Sequence, residues 1–296
     1  GLPEKRPFFL EGAELFRQRI QTFYSRRVAD IRGGGRLVGK QGPWTFAFLG
    51  AGADAVVLGD TVGASYGVAR VQRALGRSSV GATWAERRAG GSGQGSAGLD
   101  ATLFFSPIFG FTGQLVQSYG AFDDGATAFF LRPSYDSPTG HFHVRYSHLG
   151  DRFGDNVNAV GFVRDDDRRE LDSSVEKTVW FASGFLEQTE YSSNYNIYWG
   201  QDGTRRSWQV DQGLGFEFRN RWSLSLDHTE EFKRFEKDFR NRATEVEVGY
   251  NTREFRSVAV GAEFGRNFDA DFHLLTASGR LKPTPQSSLE YELERL

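Results

Sequence analysis

From about residue 33 to the end, apolar and polar residues alternate with a period of two, the signature of strands whose two faces meet different surroundings. The clearest run sets Trp208, Val210, Gln212, Leu214, Phe216 and Phe218 against Gln209, Asp211, Gly213, Gly215 and Glu217. The alternation resumes at Trp222, Leu224 and Leu226, at Val246, Val248 and Tyr250, at Val258, Val260, Ala262 and Phe264, and at Leu289, Tyr291 and Leu293. It is also present in Trp44, Phe46 and Phe48, in Val80, Ala82 and Trp84, and in Phe142, Val144 and Tyr146. Several runs reach about ten residues, long for a soluble sandwich and matched to the ~9–11 that a tilted strand needs to cross a bilayer. Glu, Asp, Gln, Ser and Gly fill the other positions and would suit a wet interior, not a dry core. The pattern predicts an all-β fold, an antiparallel transmembrane β-barrel of roughly sixteen strands, over residues 33–296.

Short turns are expected at Gln41-Gly42-Pro43, Ser106-Pro107, Ser137-Pro138-Thr139-Gly140, Ser183-Gly184, Arg219-Asn220 and Lys282-Pro283-Thr284-Pro285. These carry the Gly, Pro, Ser and Asn chemistry of tight hairpins. Longer polar connections are expected at 50–61, 88–97, 120–125, 148–170, 200–205 and 228–241, so that short turns mark one rim and long loops the other. Trp44, Trp199, Trp208, Trp222 and Phe218 fall near strand ends, where interfacial girdles belong. Residues 1–32 break the alternation, because Leu10, Leu15, Phe16, Ile20 and Phe23 have roughly helical spacing with arginines between them. Too short for a domain and too apolar for a free tail, this segment is expected to pack along or inside the barrel wall.

Composition narrows the chemistry. The chain of 296 residues has no Cys, which excludes a disulfide scaffold, a thiolate zinc site, an iron–sulfur cluster and a cysteine nucleophile. Its net charge of −2 does not suit a general nucleic-acid binder, which needs a basic excess to meet phosphates. No run approaches the ~18 to 20 apolar residues of a membrane-spanning helix, a test that leaves transmembrane barrels untouched. The chain starts at Gly1 and has no Met and no charged-then-apolar leader. Either a leader has been removed or the chain is an excerpt from a longer protein.

Four patterns invite a chemical reading. Gly63-Ala64-Ser65-Tyr66-Gly67 matches the G-x-S-x-G nucleophile pattern, but that motif needs a strand-to-helix turn, and here a strand through Val71 is expected. Gly93-Gln94-Gly95-Ser96-Ala97-Gly98 matches G-x-G-x-x-G, yet no helix is expected behind it to receive a pyrophosphate, and a mobile loop is the reading adopted. His141 and His143 share a strand face with Arg145, and with no third ligand in view they are taken as polar interior residues, not as a metal site. Asp165-Asp166-Asp167 among Arg164, Arg168 and Arg169 is read as loop charge that satisfies itself, ahead of a calcium site. No cofactor is implied. The side chains expected to line the interior are Arg70, His141, His143, Arg145, Asp211, Glu217, Glu245, Glu247 and Glu263. Arg19, Arg26 and Arg27 are expected to supply counter-charge to the glutamates as a plug.

The run Pro3-Glu4-Lys5-Arg6-Pro7-Phe8-Phe9-Leu10-Glu11-Gly12 and the following Tyr24-Ser25-Arg26-Arg27 resemble a junction in a family of bacterial surface proteins. In that family a domain similar to family 9 carbohydrate-binding modules precedes the junction, and an outer-membrane β-barrel domain of unknown function follows it. Gly39-Lys40, Tyr66-Gly67-Val68-Ala69-Arg70-Val71-Gln72-Arg73 and Gly161-Phe162-Val163-Arg164 also look like that family. The resemblance covers the first third of the chain well and the rest by pattern. It implies a bacterial outer-membrane location and a barrel acting as a pore or a surface anchor, linked to carbohydrate binding or uptake through a domain absent here. Outer-membrane lipid, the barrel-insertion machinery and a carbohydrate or other small solute are the implied partners, with no nucleic acid. The chain stops at Arg295-Leu296 and lacks the final aromatic usual in bacterial barrels, so further strands are expected beyond it. A barrel-embedded hydrolase of lipid or glycan and a soluble β-rich binding module are the alternatives.

Overall fold

The computed structural model describes residues 13–28, 31–57, 59–254 and 256–296. Among the described residues strand makes up 71%, in one antiparallel sheet of sixteen strands with almost no helix. The first eight are β1 (Gly33–Gln41), β2 (Trp44–Val57), β3 (Asp60–Leu75), β4 (Ser78–Ala89), β5 (Ser92–Phe104), β6 (Phe109–Tyr119), β7 (Thr127–Ser137) and β8 (Gly140–Leu149). A five-residue helix α1 (Phe153–Val157) follows, then β9 (Arg168–Trp180), β10 (Leu186–Trp199), β11 (Arg205–Phe218) and β12 (Trp222–Arg234). The last four are β13 (Asp238–Tyr250), β14 (Ser257–Asn267), β15 (Ala270–Thr284) and β16 (Ser287–Arg295). Each strand lies beside its neighbours in sequence, and among the described residues the hydrogen-bonded order runs from β1 to β16 without returning to β1.

Sixteen strands match the expected tally, and 120–126, 150–167 and 200–204 are connections where long ones are expected, but the alternation of short turns and long loops fails at the other three places. Residues in 50–61, 88–97 and 228–241 are mostly strand: β2 runs through Val57, β5 begins at Ser92, and β12 and β13 leave only a three-residue turn between them. The Gly93–Gly98 run is the interior of β5, not a mobile loop. Two physical reasons account for the difference. Around residues 50–60 the side chains are small because packed chain covers them: Ala51, Ala53 and Ala55 are buried. Around residues 228–241 the charges satisfy one another along and across strands, as in Lys233–Glu231 at 2.8 Å and Arg234–Asp238 at 2.9 Å. Among the described residues the longest connection is 150–167, which carries α1. The β4–β5 hairpin turns on Gly90 and Gly91, whose φ of 58° and 84° provides the left-handed pair a two-residue turn requires.

The chain forms two compact units: Gly1–Pro133 with Arg145–Glu170 and Gly200–Asp202, and Ser134–Val144 with Leu171–Trp199 and Gly203–Leu296. In the first, one face of β2 to β4 is covered by the N-terminal segment. Phe16, Phe23 and Val28 pack with Ala47, Leu49, Ala53, Tyr66, Val68 and Ala85, and Val160 from the long connection joins them. A second cluster sets Ile20 against Val116, Ala128, Phe130, Phe153 and Val157. Each of the larger apolar side chains gains ~1.5–3 kcal/mol by this burial, and alanines on the strands make room for it. The segment thus packs along the sheet wall. Its opposite surface is apolar and bare: Phe48, Leu99 and Leu115 are exposed, the last two by 62% and 51%.

The second unit repeats the contrast by register alone. Leu214, Leu226, Val246, Ala262 and Leu275 form one cross-strand row, and Phe216, Leu224, Val248, Val260, Ala277 and Leu293 form the next. Many of these are exposed, Val260 by 54% and Leu275 by 57%. On the other face Asp211 faces Thr229, and Asp227, Glu245 and Glu263 share a row. Trp44, Trp199, Trp222 and Phe218 terminate their strands, while Trp208 is the fourth residue of β11.

Candidate functional site

Two polar constellations occupy the faces opposite the bare apolar rows. In the first unit, Arg70 is 7% exposed and grips Asp100 with both terminal nitrogens, Nη1 to Oδ2 at 2.6 Å and Nη2 to Oδ1 at 2.9 Å. Its Nη1 also donates to Thr83 Oγ1 at 2.6 Å. Such a planar two-point pair fixes geometry as well as charge. Asp100 then accepts a hydrogen bond from Gln18 Nε2 at 2.9 Å, so the wall pair holds the N-terminal segment. Two residues on, Gln114 Oε1 accepts from the Ile20 N–H at 2.9 Å, and its Nε2 donates to the Ile20 carbonyl at 3.0 Å. The segment is held from the other side by the long connection. Phe162 N–H donates to the Gln21 carbonyl and Tyr24 N–H to the Val160 carbonyl, both at 2.9 Å. Gly161 permits this approach, since a Cβ there would stand 2.6 Å from the Gln21 carbonyl oxygen.

Of the three arginines assigned to a plug, Arg19 lies over the Phe130 ring at 5.6 Å. Arg27 lies over Phe162 at 6.0 Å and donates from Nε to the Gly161 carbonyl at 3.2 Å. Arg26 is the middle residue of the 3-10 turn Ser25–Arg27 and is exposed. Arg145 donates to Glu170 Oε1 at 3.0 Å, and Arg168 reaches Glu170 Oε2 at 2.8 Å.

The second unit holds a linear chain of four titratable side chains. Asp136 Oδ1 lies 2.5 Å from His141 Nδ1, His141 Nε2 lies 2.8 Å from His143 Nδ1, and His143 Nε2 lies 3.0 Å from Asp172 Oδ2. Asp172 Oδ1 also accepts from Asn196 Nδ2 at 3.2 Å. With both carboxylates ionised, hydrogen bonding at all three junctions requires three ring protons on two imidazoles. Beyond these histidines, none of Asp227, Glu245, Glu247 and Glu263 forms an ion pair among the described residues, whereas Glu217 lies 3.6 Å from Arg253. The nine side chains expected to line an interior thus fall into separate groups: Arg70 with Asp100, Arg145 with Glu170, the histidines with Asp136 and Asp172, and the acids on the polar face of β11 to β14.

Ser65 is an interior position of β3, paired with Gly52 and Arg88; the sharp turn of a nucleophile elbow is not formed there. Asp166 and Asp167 of the long connection act on the backbone. Asp166 Oδ2 accepts from the Gly154 N–H at 2.7 Å, and Asp167 Oδ1 from the Gln201 N–H at 2.9 Å. Among the described residues no three His, Asp or Glu side chains converge as a metal site. Sequence reasoning did not single out Gln18, Asp100, Gln114, Asp136, Glu170 or Asp172. Alternation puts the five that lie in strands on polar faces, but only the register shows which cation or backbone group each meets; Gln18 lies in the segment that breaks the alternation. Glu86 is a different surprise: it lies on the apolar face, 7% exposed, where it pairs with Arg88 and accepts from Tyr119 Oη at 2.8 Å. Trp84 Nε1 donates to the same Tyr119 oxygen at 2.8 Å. Comparison with models of known protein families, with curated proteins and with solved structures found no match.

Proposed function

We propose that this chain is the wall and plug of a bacterial outer-membrane β-barrel that acts as a pore or surface anchor and catalyses no reaction. One observation carries the reading: the bare surface of the sheet is its apolar one. Leu99, Leu115, Val260 and Leu275 are exposed, while Arg70, Gln114, Glu170 and Asp172 are buried. Water would favour the reverse, and contiguous apolar rows of this extent mark contact with lipid or protein. Strands of 9 to 16 residues are long enough to cross hydrocarbon at a tilt, and pairing along a closed barrel satisfies every backbone group there. The acidic rows of β12 to β14 would face the interior and favour cations. Resemblance to the surface-protein family fits this role and extends it to a barrel that follows a carbohydrate-binding domain. The test is purification of the chain with and without detergent, followed by gel mobility of boiled and unboiled samples. A barrel needs detergent and shifts its mobility on boiling; material that is monodisperse in plain buffer and shows no shift overturns the reading.

A further inference from the structure

Between the N-terminal segment and the long connection, within the first unit, lies a cavity of about 770 Å³. Four arginines line it in two pairs: Arg17 and Arg19 from the N-terminal segment, and Arg164 and Arg168 from the long connection and the start of β9. Two carboxylates oppose them, Asp165 and Glu170, and Glu170 is already engaged by Arg145 and Arg168. Arg17 and Arg164 are exposed and have no acidic partner among the described residues. The rest of the lining includes the half-buried apolar residues Leu149, Phe162 and Val163.

We propose that this cavity binds a small organic anion whose carboxylates bridge the two arginine pairs and whose flat, apolar body lies on those side chains. Guanidinium groups take carboxylates in planar two-point contacts, and a cation whose own carboxylate is absent gains most from an incoming one. The Phe and Leu side chains add contact that a bare inorganic anion cannot use. Because the pairs come from different segments, the bound ligand ties the N-terminal segment to the long connection. The site belongs to the first unit alone, so it does not depend on the membrane reading.

Terephthalate, a flat aromatic dicarboxylate, is the probe. Calorimetric titration of the full-length chain, in detergent or in whatever buffer keeps it monodisperse, is expected to show saturable binding. Inorganic phosphate and benzyl alcohol, which lack the body and the charge respectively, should each bind at least about tenfold more weakly. Arg17→Gln and Arg164→Gln should each weaken terephthalate several-fold, and together about tenfold or more, while Arg266→Gln in the second unit leaves it unchanged. Circular dichroism of each variant establishes that it is folded. No saturable heat with the unmodified chain overturns the proposal, and so does equal affinity in the folded double variant. Phosphate binding as tightly as terephthalate overturns the apolar half of the claim. A chain that needs no detergent yet binds terephthalate would sink the membrane reading and leave this one standing.

Discussion

Gln114 and Ile20, 94 positions apart, meet through one amide that serves both backbone groups of Ile20, accepting its N–H at 2.9 Å and donating to its carbonyl at 3.0 Å. A strand side chain here does what a neighbouring strand would do. Gln114 is 4% exposed and Ile20 6%, so no water stands ready to replace either bond. Gln114→Leu therefore leaves a buried donor and a buried acceptor without partners, at ~1–3 kcal/mol for each. The expected result is faster proteolysis between residues 13 and 28 with the sheet still intact by circular dichroism. In planar bilayers the same variant, and deletion of residues 1–30, should raise conductance if the segment occludes a pore. Unchanged protease resistance would show that the amide does not hold the segment.

The two faces of the sheet make a sharper test of where lipid lies. Leu214 and Val248 belong to adjacent apolar rows, while Asp211 and Glu247 belong to the polar face of the same strands. Arginine at mid-bilayer costs ~2–4 kcal/mol and far less in an aqueous interior. Leu214→Arg and Val248→Arg should lower stability by that amount in refolding titrations into lipid vesicles, with Asp211→Arg and Glu247→Arg close to neutral. Equal costs on the two faces would mean that lipid does not cover the apolar rows.

The strands were legible because period two survives any error at their ends: the Trp208–Phe218 alternation puts Leu214 and Asp211 on opposite faces wherever β11 begins. Connections were harder to read. Ala51, Ala53 and Ala55 look like loop residues until Phe16 and Phe23 are seen to cover that face, and no local pattern announces a partner so distant in the chain. Paired charges misled for a similar reason, since Arg234 and Asp238 resemble a polar loop yet close a hairpin. The polar sites were legible as residue types and not as partnerships. His141 and His143 at alternate positions signal one face, but Asp136 and Asp172 come from β7 and β9, and their register carries no signature in the sequence.

That histidine chain has unequal ends. His143 and Asp172 have side chains only 12% and 13% exposed, whereas Asp136 at the other end is 65% exposed. Water screens the outer pair and competes for its hydrogen bond, so a double-mutant cycle on Asp136 and His141 should give a coupling below ~1 kcal/mol. The cycle on His143 and Asp172 should exceed it, since removing either partner strands a shielded polar group. Asp172→Asn keeps an acceptor for His143 and should cost less than Asp172→Ala. Equal coupling at the two ends would mean that burial does not set the strength of the chain.

Asp166 offers a pH test in the long connection. Burial pushes its carboxyl above the ordinary aspartate range; the Gly154 N–H pulls the other way, and Asp155 and Asp165 push it further up. A folded-state value raised above the unfolded one means that the native protein holds this proton more tightly. The stabilising contribution is then fully present below the unfolded carboxylate range and is lost as pH rises through the raised value. Asp166→Asn carries no charge at any pH and keeps an oxygen for Gly154, so it should remove that slope. Melting temperatures from about pH 3 to pH 8, a span that brackets ordinary aspartates, should show the variant gaining on the unmodified protein as pH rises. Asp166→Ala, which abandons the Gly154 N–H at the start of α1, should be less stable than Asp166→Asn throughout. Parallel curves for the unmodified protein and Asp166→Asn would mean that the carboxyl titrates as it does in the unfolded chain.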